Sequence, residues 1–151
     1  MKKIMFVCHG NICRSPMAEL IMRDLLASAG LSDKFSVSSS ATSYEEIGNP
    51  VYPPARRELL RHGIDPAGKR AVKLEKSDYD KYDLFVGMDS ANIRNMNRIF
   101  VADPESKVKK LLEFASDSSD VADPWYTGDF VKTYDDCLRG CKALLKFLTE
   151  K

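Results

Sequence analysis

The sequence predicts an α/β fold: one domain over residues 1–151, with a four-stranded parallel sheet covered by helices on both faces. Short apolar runs of strand length alternate along the chain with longer stretches whose apolar residues recur at helical spacing. The segments that join them are short, as they are in sheets whose parallel strands are connected through helices. No repeat, low-complexity tract or linker marks a second domain.

Four segments have the apolar patterns of strands, and they lie at residues 4–7, 35–40, 82–88 and 108–112. The first and third contain continuous apolar runs, as expected of strands that are buried on both faces. The second alternates, with Phe35 and Val37 as its apolar members. A strand order of 2-1-3-4, which is flavodoxin-like, would make the first strand central and place Cys8 at the crevice where the order reverses.

Four segments have helical periodicity, and they lie at residues 16–29, 53–62, 90–100 and 130–148. A Ser-Pro pair precedes the first helix, so Ser15 is a candidate N-cap, and Gly30 is placed to end the helix. The apolar stripe of this helix should face the sheet, with Glu19 and Arg23 in water. Cys137 and Cys141 lie inside the apolar stripe of the last helix and are expected to be core residues.

Composition argues against several kinds of partner. The chain has 23 Lys and Arg against 22 Asp and Glu, a net charge of +1, so no global charge attracts nucleic acid or an anionic membrane. Its apolar runs are too short for a membrane span, and the run after the N-terminal methionine and lysines is too short for a signal peptide. We therefore expect a cytoplasmic protein whose four cysteines are thiols.

The segment between the first strand and the first helix carries the most informative residues. Cys8 ends the strand, and Arg14 follows after five residues, just before the helix. Backbone N–H groups and the positive end of the helix dipole should converge there, which favours a thiolate and equally a bound phosphoryl group. Arg14 offers a planar fork for two phosphoryl oxygens. Cys8 is thus a candidate nucleophile; the alternative, that it merely ends a core strand, leaves the spacing to Arg14 unexplained.

This segment resembles the phosphate loop of the low-molecular-weight protein tyrosine phosphatases, Cys-x(4)-Cys-Arg-Ser just after the first strand. Cys8, Cys13, Arg14 and Ser15 match that pattern, and Asn11 is also in the family's place. A bare Cys-x(5)-Arg occurs in other phosphatases and in sulfur-transfer domains, whereas the longer string is far more restrictive. The resemblance implies that the loop binds the phosphoryl group through His9, Gly10, Asn11, Ile12, Cys13 and Ser15.

A second motif, Asp123-Pro124-Trp125-Tyr126, lies before the last helix. A departing phenolate needs a proton, which a carboxylic acid can supply before it deprotonates the water that hydrolyses the phosphocysteine. The resemblance implies that Asp123 is this acid. Asp-Pro is an ordinary turn signal that occurs twice more in the chain, so the assignment depends on Trp125 and Tyr126, on which an aryl phosphate could stack. The alternative is that Trp125 only packs under the loop.

The polar stretch after the second strand is expected to form a wall of the site, because loops at the carboxyl ends of parallel strands surround the ligand crevice. The resemblance implies an aromatic side chain here that stacks on the substrate ring. Tyr44 is the nearest candidate, and Glu45, one residue further on, is the alternative.

Three residues around the loop have roles that the sequence leaves open. Ser15 either caps the first helix or donates its hydroxyl to Cys8. Many relatives place a histidine after the second helix to hold the loop asparagine; this chain has none there, so Lys69 is the candidate support for Asn11. Cys13 is near enough in sequence to Cys8 that we hypothesise a disulfide between them under peroxide, which would protect Cys8 from overoxidation.

Three functions are compatible with these motifs. The leading one is a metal-independent phosphatase for tyrosine-phosphorylated proteins, which needs no cofactor, forms a phosphocysteine and binds inorganic phosphate or a similar oxyanion in its loop. The second is a thiol-linked arsenate reductase on the same fold, which would need a resolving pair of cysteines between Cys13 and Cys137, where none occurs. The third is a phosphate-binding module without activity, which would have no use for Asp123.

Overall fold

The computed structural model describes residues 1–150, and its four strands form one parallel sheet. The strands are β1 (Lys2–Cys8), β2 (Phe35–Ala41), β3 (Leu84–Gly87) and β4 (Val108–Lys110). Their order is β2-β1-β3-β4, which confirms the predicted order. Because β1 pairs with β2 on one side and β3 on the other, Cys8 lies at the carboxyl end of a central strand.

The helices are α1 (Arg14–Ser28), α2 (Pro53–Arg61), α3 (Ser90–Phe100), α4 (Pro124–Thr127) and α5 (Phe130–Thr149), with 3₁₀ turns at Lys76–Asp80 and Leu111–Ala115. The short α4 was not predicted; it begins directly after Asp123, whose side chain accepts the backbone N–H of Trp125. In residues 1–150 no helix is both long and apolar enough to cross a bilayer.

Side chains of β1 alternate between two cores, one on each face of the sheet. Ile4 and Phe6 pack into the core that involves α1, α2 and α5. Met5 and Val7 pack into a second core with residues of α3 and the first 3₁₀ turn. Both faces are therefore covered, which is why this strand reads as one continuous apolar run rather than as an alternating pattern. The carboxyl end of the sheet is the part where loops can form a site.

The start of α1 differs from the prediction. The helix begins at Arg14 with Cys13 in the N-cap position, so Ser15 lies in the first turn and does not cap the helix. Its hydroxyl instead lies 3.0 Å from the sulfur of Cys8. The end of the helix is as predicted, because Gly30 follows the C-cap with a φ of 70°, in the left-handed region that glycine adopts without strain.

The prediction that Glu19 faces water is wrong, since this residue is only 5% exposed. One carboxylate oxygen accepts the hydroxyl of Ser39 on β2 at 2.6 Å, and the other accepts a guanidinium N–H of Arg23 at 2.6 Å. The ammonium of Lys69 lies 3.7 Å from the first oxygen. Partners from three parts of the chain thus compensate the burial of this charge, and helical periodicity alone contains no information about them.

Candidate active site

The loop between β1 and α1 wraps around the sulfur of Cys8. The backbone N–H of Asn11 donates to this sulfur at 3.3 Å. Asn11 has a φ of 60°, in the left-handed region that asparagine tolerates better than most residues, and this conformation turns the loop back toward the end of the strand. Cys8 is 3% exposed, and the part of it that is accessible lines a cavity.

Backbone hydrogen bonds from the neighbouring polar stretch hold the outside of the loop. The carbonyl of His9 accepts the backbone N–H of Ser43 at 3.1 Å, and the carbonyl of Ile12 accepts that of Tyr52 at 2.9 Å. These contacts fix the loop at both ends. The site is therefore built on a rigid support, as a preorganised binding loop requires.

The side chain of Asn11 is held behind the loop by three hydrogen bonds. Its carbonyl accepts the backbone N–H of Val72 at 3.1 Å. Its amide donates to the hydroxyls of Ser15 at 2.7 Å and Ser39 at 2.9 Å. The structure shows no hydrogen bond from Lys69, the expected support, to Asn11; the Lys69 ammonium donates to the backbone carbonyl of Ser39 at 3.2 Å. The support that Lys69 gives to Asn11 is thus indirect.

A cavity of about 350 Å³ opens above the loop. It is lined by Cys8, His9, Gly10, Ile12, Cys13, Arg14, Glu45, Glu46, Asp123, Trp125 and Tyr126. The three residues that the sequence predicts as catalytic are all in this set, although Arg14 and Asp123 are 109 positions apart. Of the predicted loop residues, Asn11 and Ser15 lie behind the lining and contact Cys8 from that side.

The guanidinium of Arg14 is buried and is oriented by the protein. One terminal nitrogen donates to Asp89 at 2.6 Å and to the carbonyl of Val121 at 3.0 Å, and the other donates to Asp123 at 3.4 Å. Burial opposes the charge, but the Cys8 sulfur and the two carboxylates outweigh it, so the pKa of Arg14 is raised from its ordinary value. The group stays cationic with its plane fixed, which is suited to an oxyanion.

Asp89 is a site residue that the sequence does not identify as one. The prediction that it caps α3 is correct, since its side chain accepts the backbone N–H of Asn92 at 2.7 Å. Its second oxygen binds Arg14. The one sequence signal for this role is that Asp89 closely follows β3, whose carboxyl end lies beside that of β1.

The other three cysteines differ from Cys8 in their surroundings. Burial raises the pKa of Cys13, and the negative charge of neighbouring Cys8 and Asp123 raises it further. Burial also raises the pKa of Cys137 to about 12 and that of Cys141 well above its ordinary value. Cys137 and Cys141 have no exposed surface in α5, which confirms that they are core residues. All three thus remain protonated at neutral pH.

Two exposed aromatic residues form one wall of the cavity. Trp125 and Tyr126 both line it, and they keep 55% and 85% of their surface exposed. The Trp125 ring also contacts the Tyr52 ring, with 5.0 Å between the centroids. Trp125 therefore packs on a neighbour and also borders the cavity.

Another part of the lining is acidic. Glu45 and Glu46 line the cavity, and the Glu45 carboxylate lies 2.9 Å from the imidazole of His9. Tyr44 is not among the lining residues; it is 72% exposed, and the ammonium of Lys73 lies 4.8 Å from its ring centre. Of the two registers considered for this stretch, the structure thus places Glu45 in the wall and turns Tyr44 outward.

A thiol at the end of a central strand, an arginine at the following helix and a carboxyl in the same cavity are the arrangement expected of a cysteine-dependent phosphatase. Comparison with known proteins agrees with this class. Residues 3–151 match the family model for low molecular weight phosphotyrosine protein phosphatase. The chain belongs to this family and is a protein-tyrosine phosphatase, which confirms the family and the enzyme class expected from the sequence.

Relatives from distant organisms match nearly the whole chain. The low molecular weight protein-tyrosine-phosphatase YfkJ of Bacillus subtilis is 40% identical over 147 residues, which cover 96% of this chain and 94% of that protein. The human low molecular weight phosphotyrosine protein phosphatase is 37% identical over 150 residues, with the same coverage. The crystal structure of YfkJ superimposes with a TM-score of 0.95 at 39% identity and covers 98% of this chain and 94% of that one.

Proposed function

We propose that this phosphatase hydrolyses phosphotyrosine in proteins through a phosphocysteine on Cys8, without a metal or cofactor. The observation that carries the proposal is the single cavity lined by the Cys8 sulfur, the Arg14 guanidinium and the Asp123 carboxyl. The sulfur attacks phosphorus while the tyrosine oxygen leaves with the proton of Asp123. Water then attacks the phosphocysteine, and Asp123 takes its proton, which yields inorganic phosphate and the free thiolate.

Arg14 provides charge stabilisation for the transferred phosphoryl group. Asp89 and Val121 fix the guanidinium in the folded protein, so little reorganisation is needed when the substrate arrives. The contact to Asp123 is the longest of the three and lies at the cavity. Phosphoryl oxygens that take its place leave Asp123 free to hold the proton needed by the leaving group.

The walls of the cavity favour an aryl substrate. Trp125 and Tyr126 offer aromatic surface beside the acid, on which a phenyl ring can stack. The residues that we propose contact the phosphoryl group, or support the loop that does, are His9, Gly10, Asn11, Ile12, Cys13 and Ser15. The four cysteines are free thiols, which fits the cytoplasm, where we propose that the enzyme acts.

Phosphate hydrolysis is preferred over arsenate reduction because of the remaining cysteines. A thiol-linked reductase must resolve its first thiol adduct with further cysteines that reach the mouth of the site. Cys137 and Cys141 are wholly buried in α5, where they pack against α1. Cys13 lines the cavity, but it is a single thiol rather than a pair.

The test is hydrolysis of an aryl phosphate in excess EDTA by wild type, Cys8→Ser and Asp123→Asn. We expect chelation to have no effect and the serine variant to be inactive. The asparagine variant should be slower by roughly 10²–10⁴-fold, most of all with poor leaving groups, because it has no proton to give. Asp129→Asn is the control, since Asp129 caps α5 and asparagine caps equally well. Turnover by Cys8→Ser, or loss of wild-type turnover in EDTA, would overturn the proposal.

A further inference from the structure

A row of three aromatic side chains leads to the cavity, and only the last of them, Trp125, has a role in the function proposed above. The ring of Trp125, which lines the cavity, contacts that of Tyr52 with 5.0 Å between the centroids and 53° between the planes. The Tyr52 ring lies in turn 6.0 Å from that of Phe130, at 29°. Tyr52 and Phe130 are partly buried and are not among the residues that line the cavity. The row therefore runs from the start of α5 to the cavity wall.

Tyr52 is also attached to the phosphate loop. Its backbone N–H donates to the carbonyl of Ile12 at 2.9 Å. Its side chain packs against a small buried cluster that contains Ile12 and Cys13 of that loop. The backbone of Tyr52 is held as the N-cap of α2, directly before the prolines of the first turn. One residue thus contacts both the loop that would bind the phosphoryl group and the ring that borders the cavity.

Trp125 needs such a contact because its own helix holds it weakly. The helix α4 has only four residues, and 55% of the surface of Trp125 remains exposed. The separation of its ring from that of Tyr52 lies within the range at which aromatic pairs attract each other. Tyr126, the next residue, is 85% exposed, so little fixes its ring. Of the two aromatic residues in this wall, Trp125 is therefore the one whose orientation is fixed by a neighbouring ring.

We propose that Tyr52 is a positioning residue that sets the gap between the phosphate loop and the Trp125 ring, and thereby selects phosphate esters of an aryl group over those of a small alkyl group. A ring that is already held in place loses little conformational entropy when a phenyl ring stacks on it. A Trp125 ring without this support would have to be ordered by the substrate, at a cost in affinity. The inference rests on the proposed function, in which the phosphoryl group binds beside Cys8 and Arg14. Tyr52 acts only through Trp125, since it does not line the cavity.

The test measures the dissociation constants of two phosphonates by calorimetry, because phosphonates mimic phosphate esters but are not hydrolysed. Phenylphosphonate carries a ring and methylphosphonate does not, so the ratio of the two constants measures the contact with the ring. Tyr52→Leu should weaken phenylphosphonate binding by roughly 2–10-fold, the worth of one aromatic pair, and leave methylphosphonate binding unchanged. Tyr52→Phe keeps the ring and should retain both wild-type constants. Damage to the phosphate loop would instead weaken both ligands.

A second measurement uses the fact that Trp125 is the only tryptophan of the chain. Its fluorescence reports on this ring alone when tyrosine is not excited. In the free enzyme, Tyr52→Leu should make Trp125 more accessible to the quencher acrylamide, because the neighbouring ring no longer covers it. Saturating phenylphosphonate should protect Trp125 from acrylamide in the wild type, whereas methylphosphonate should not. Equal quenching in the wild type and in Tyr52→Leu would contradict the proposed support.

The double variant Tyr52→Leu with Trp125→Ala separates a positioning role from a merely structural one. If Tyr52 acts through Trp125, the double variant binds phenylphosphonate no more weakly than Trp125→Ala alone; independent structural damage would add. Tyr82→Leu is the matched control, because Tyr82 is also partly buried and packs on Phe85 at 5.8 Å, in the core that contains residues of α3. It should leave both dissociation constants and the quenching of Trp125 unchanged.

The outcomes separate this inference from the proposed function. A wild-type ratio of the two dissociation constants in folded Tyr52→Leu, or an equal change of that ratio in Tyr82→Leu, would overturn the positioning role even if turnover is normal. A wild type that binds phenylphosphonate more tightly than methylphosphonate but hydrolyses no aryl phosphate would overturn the proposed function alone. If Tyr52→Leu does not fold, Tyr52→Met decides the matter, because its flexible side chain can fill the same space without a ring.

Discussion

Replacing Arg14 by lysine keeps the positive charge and removes the planar fork. In the structure the guanidinium uses one terminal nitrogen for Asp89 and Val121 and directs the other toward Asp123 at the cavity. Lysine has a single nitrogen on a shorter side chain. It can remain with Asp89 or turn to the phosphoryl group, but it cannot bind both in the geometry of the fork.

The size of the defect follows from these contacts. If the ammonium stays with Asp89, the transferred phosphoryl group loses two charge-assisted hydrogen bonds. Each is worth about 1.5–3 kcal/mol, so the loss is about 3–6 kcal/mol, or roughly 10²–10⁴-fold in kcat/KM. If the ammonium turns to the phosphoryl group, Asp89 loses its partner and one contact to a phosphoryl oxygen is still missing. The loss in kcat/KM then falls at the lower end of this range.

The assay is kcat/KM for an aryl phosphate, with inhibition by inorganic phosphate as a second measure of oxyanion binding. Both should weaken in Arg14→Lys, while circular dichroism and thermal unfolding confirm that the variant is folded. Arg139→Lys is the control, because Arg139 is paired with Asp117 on the surface, where such pairs contribute little. Activity of Arg14→Lys within tenfold of wild type would refute the role given to the fork.

Three further predictions concern packing, pH and oxidation. A Cβ at Gly140 would overlap the side chain of buried Leu111. Although alanine is the better helix former, Gly140→Ala should therefore lower the free energy of unfolding by about 1–3 kcal/mol in a urea titration. An unchanged urea midpoint would contradict this prediction. The pKa of Cys137 is raised from 9.0 to about 12, so the folded state retains a proton that the unfolded chain loses. This contribution to stability is complete below about pH 9 and is lost as the pH rises toward about 12; Cys137→Ala should flatten that alkaline decline, and a parallel decline would argue against it. Under peroxide, the Cys8 sulfenic acid should condense with the Cys13 thiol to form a disulfide and release water. Peptide mapping that finds only sulfinic acid at Cys8 would contradict this prediction.

The strand order could be predicted because local patterns and general topology rules suffice for it. Each strand ends at a recognisable turn or helix start, and alternating strands and helices imply parallel pairing. The phosphate loop could be predicted because Cys8 and Arg14 are close in sequence. The bounds of α3 could also be predicted from local sequence, because Asp89, directly before the helix, is a strong capping signal.

Features that depend on long-range contacts were not predictable from such patterns. Helical periodicity predicts that Glu19 faces water, yet contacts with Ser39 and Lys69, which are far away in sequence, keep its side chain buried. Asp89 has two oxygens with two partners, and only the capping partner is local. The start of α1 was displaced because the Ser15 hydroxyl binds Cys8 rather than the backbone of its own helix.

The central claim, that Cys8 carries the phosphoryl group, is tested most directly by trapping the intermediate. Asp123→Asn is mixed with an aryl phosphate whose leaving group needs no proton, quenched in denaturant and mapped by mass spectrometry. Attack should proceed while hydrolysis is slow, because no carboxylate is present to deprotonate the water. We expect a burst of phenol equal to the enzyme concentration and a phosphoryl adduct on the peptide that contains Cys8. An adduct on another residue, or turnover with Cys8 unmodified throughout, would contradict the account.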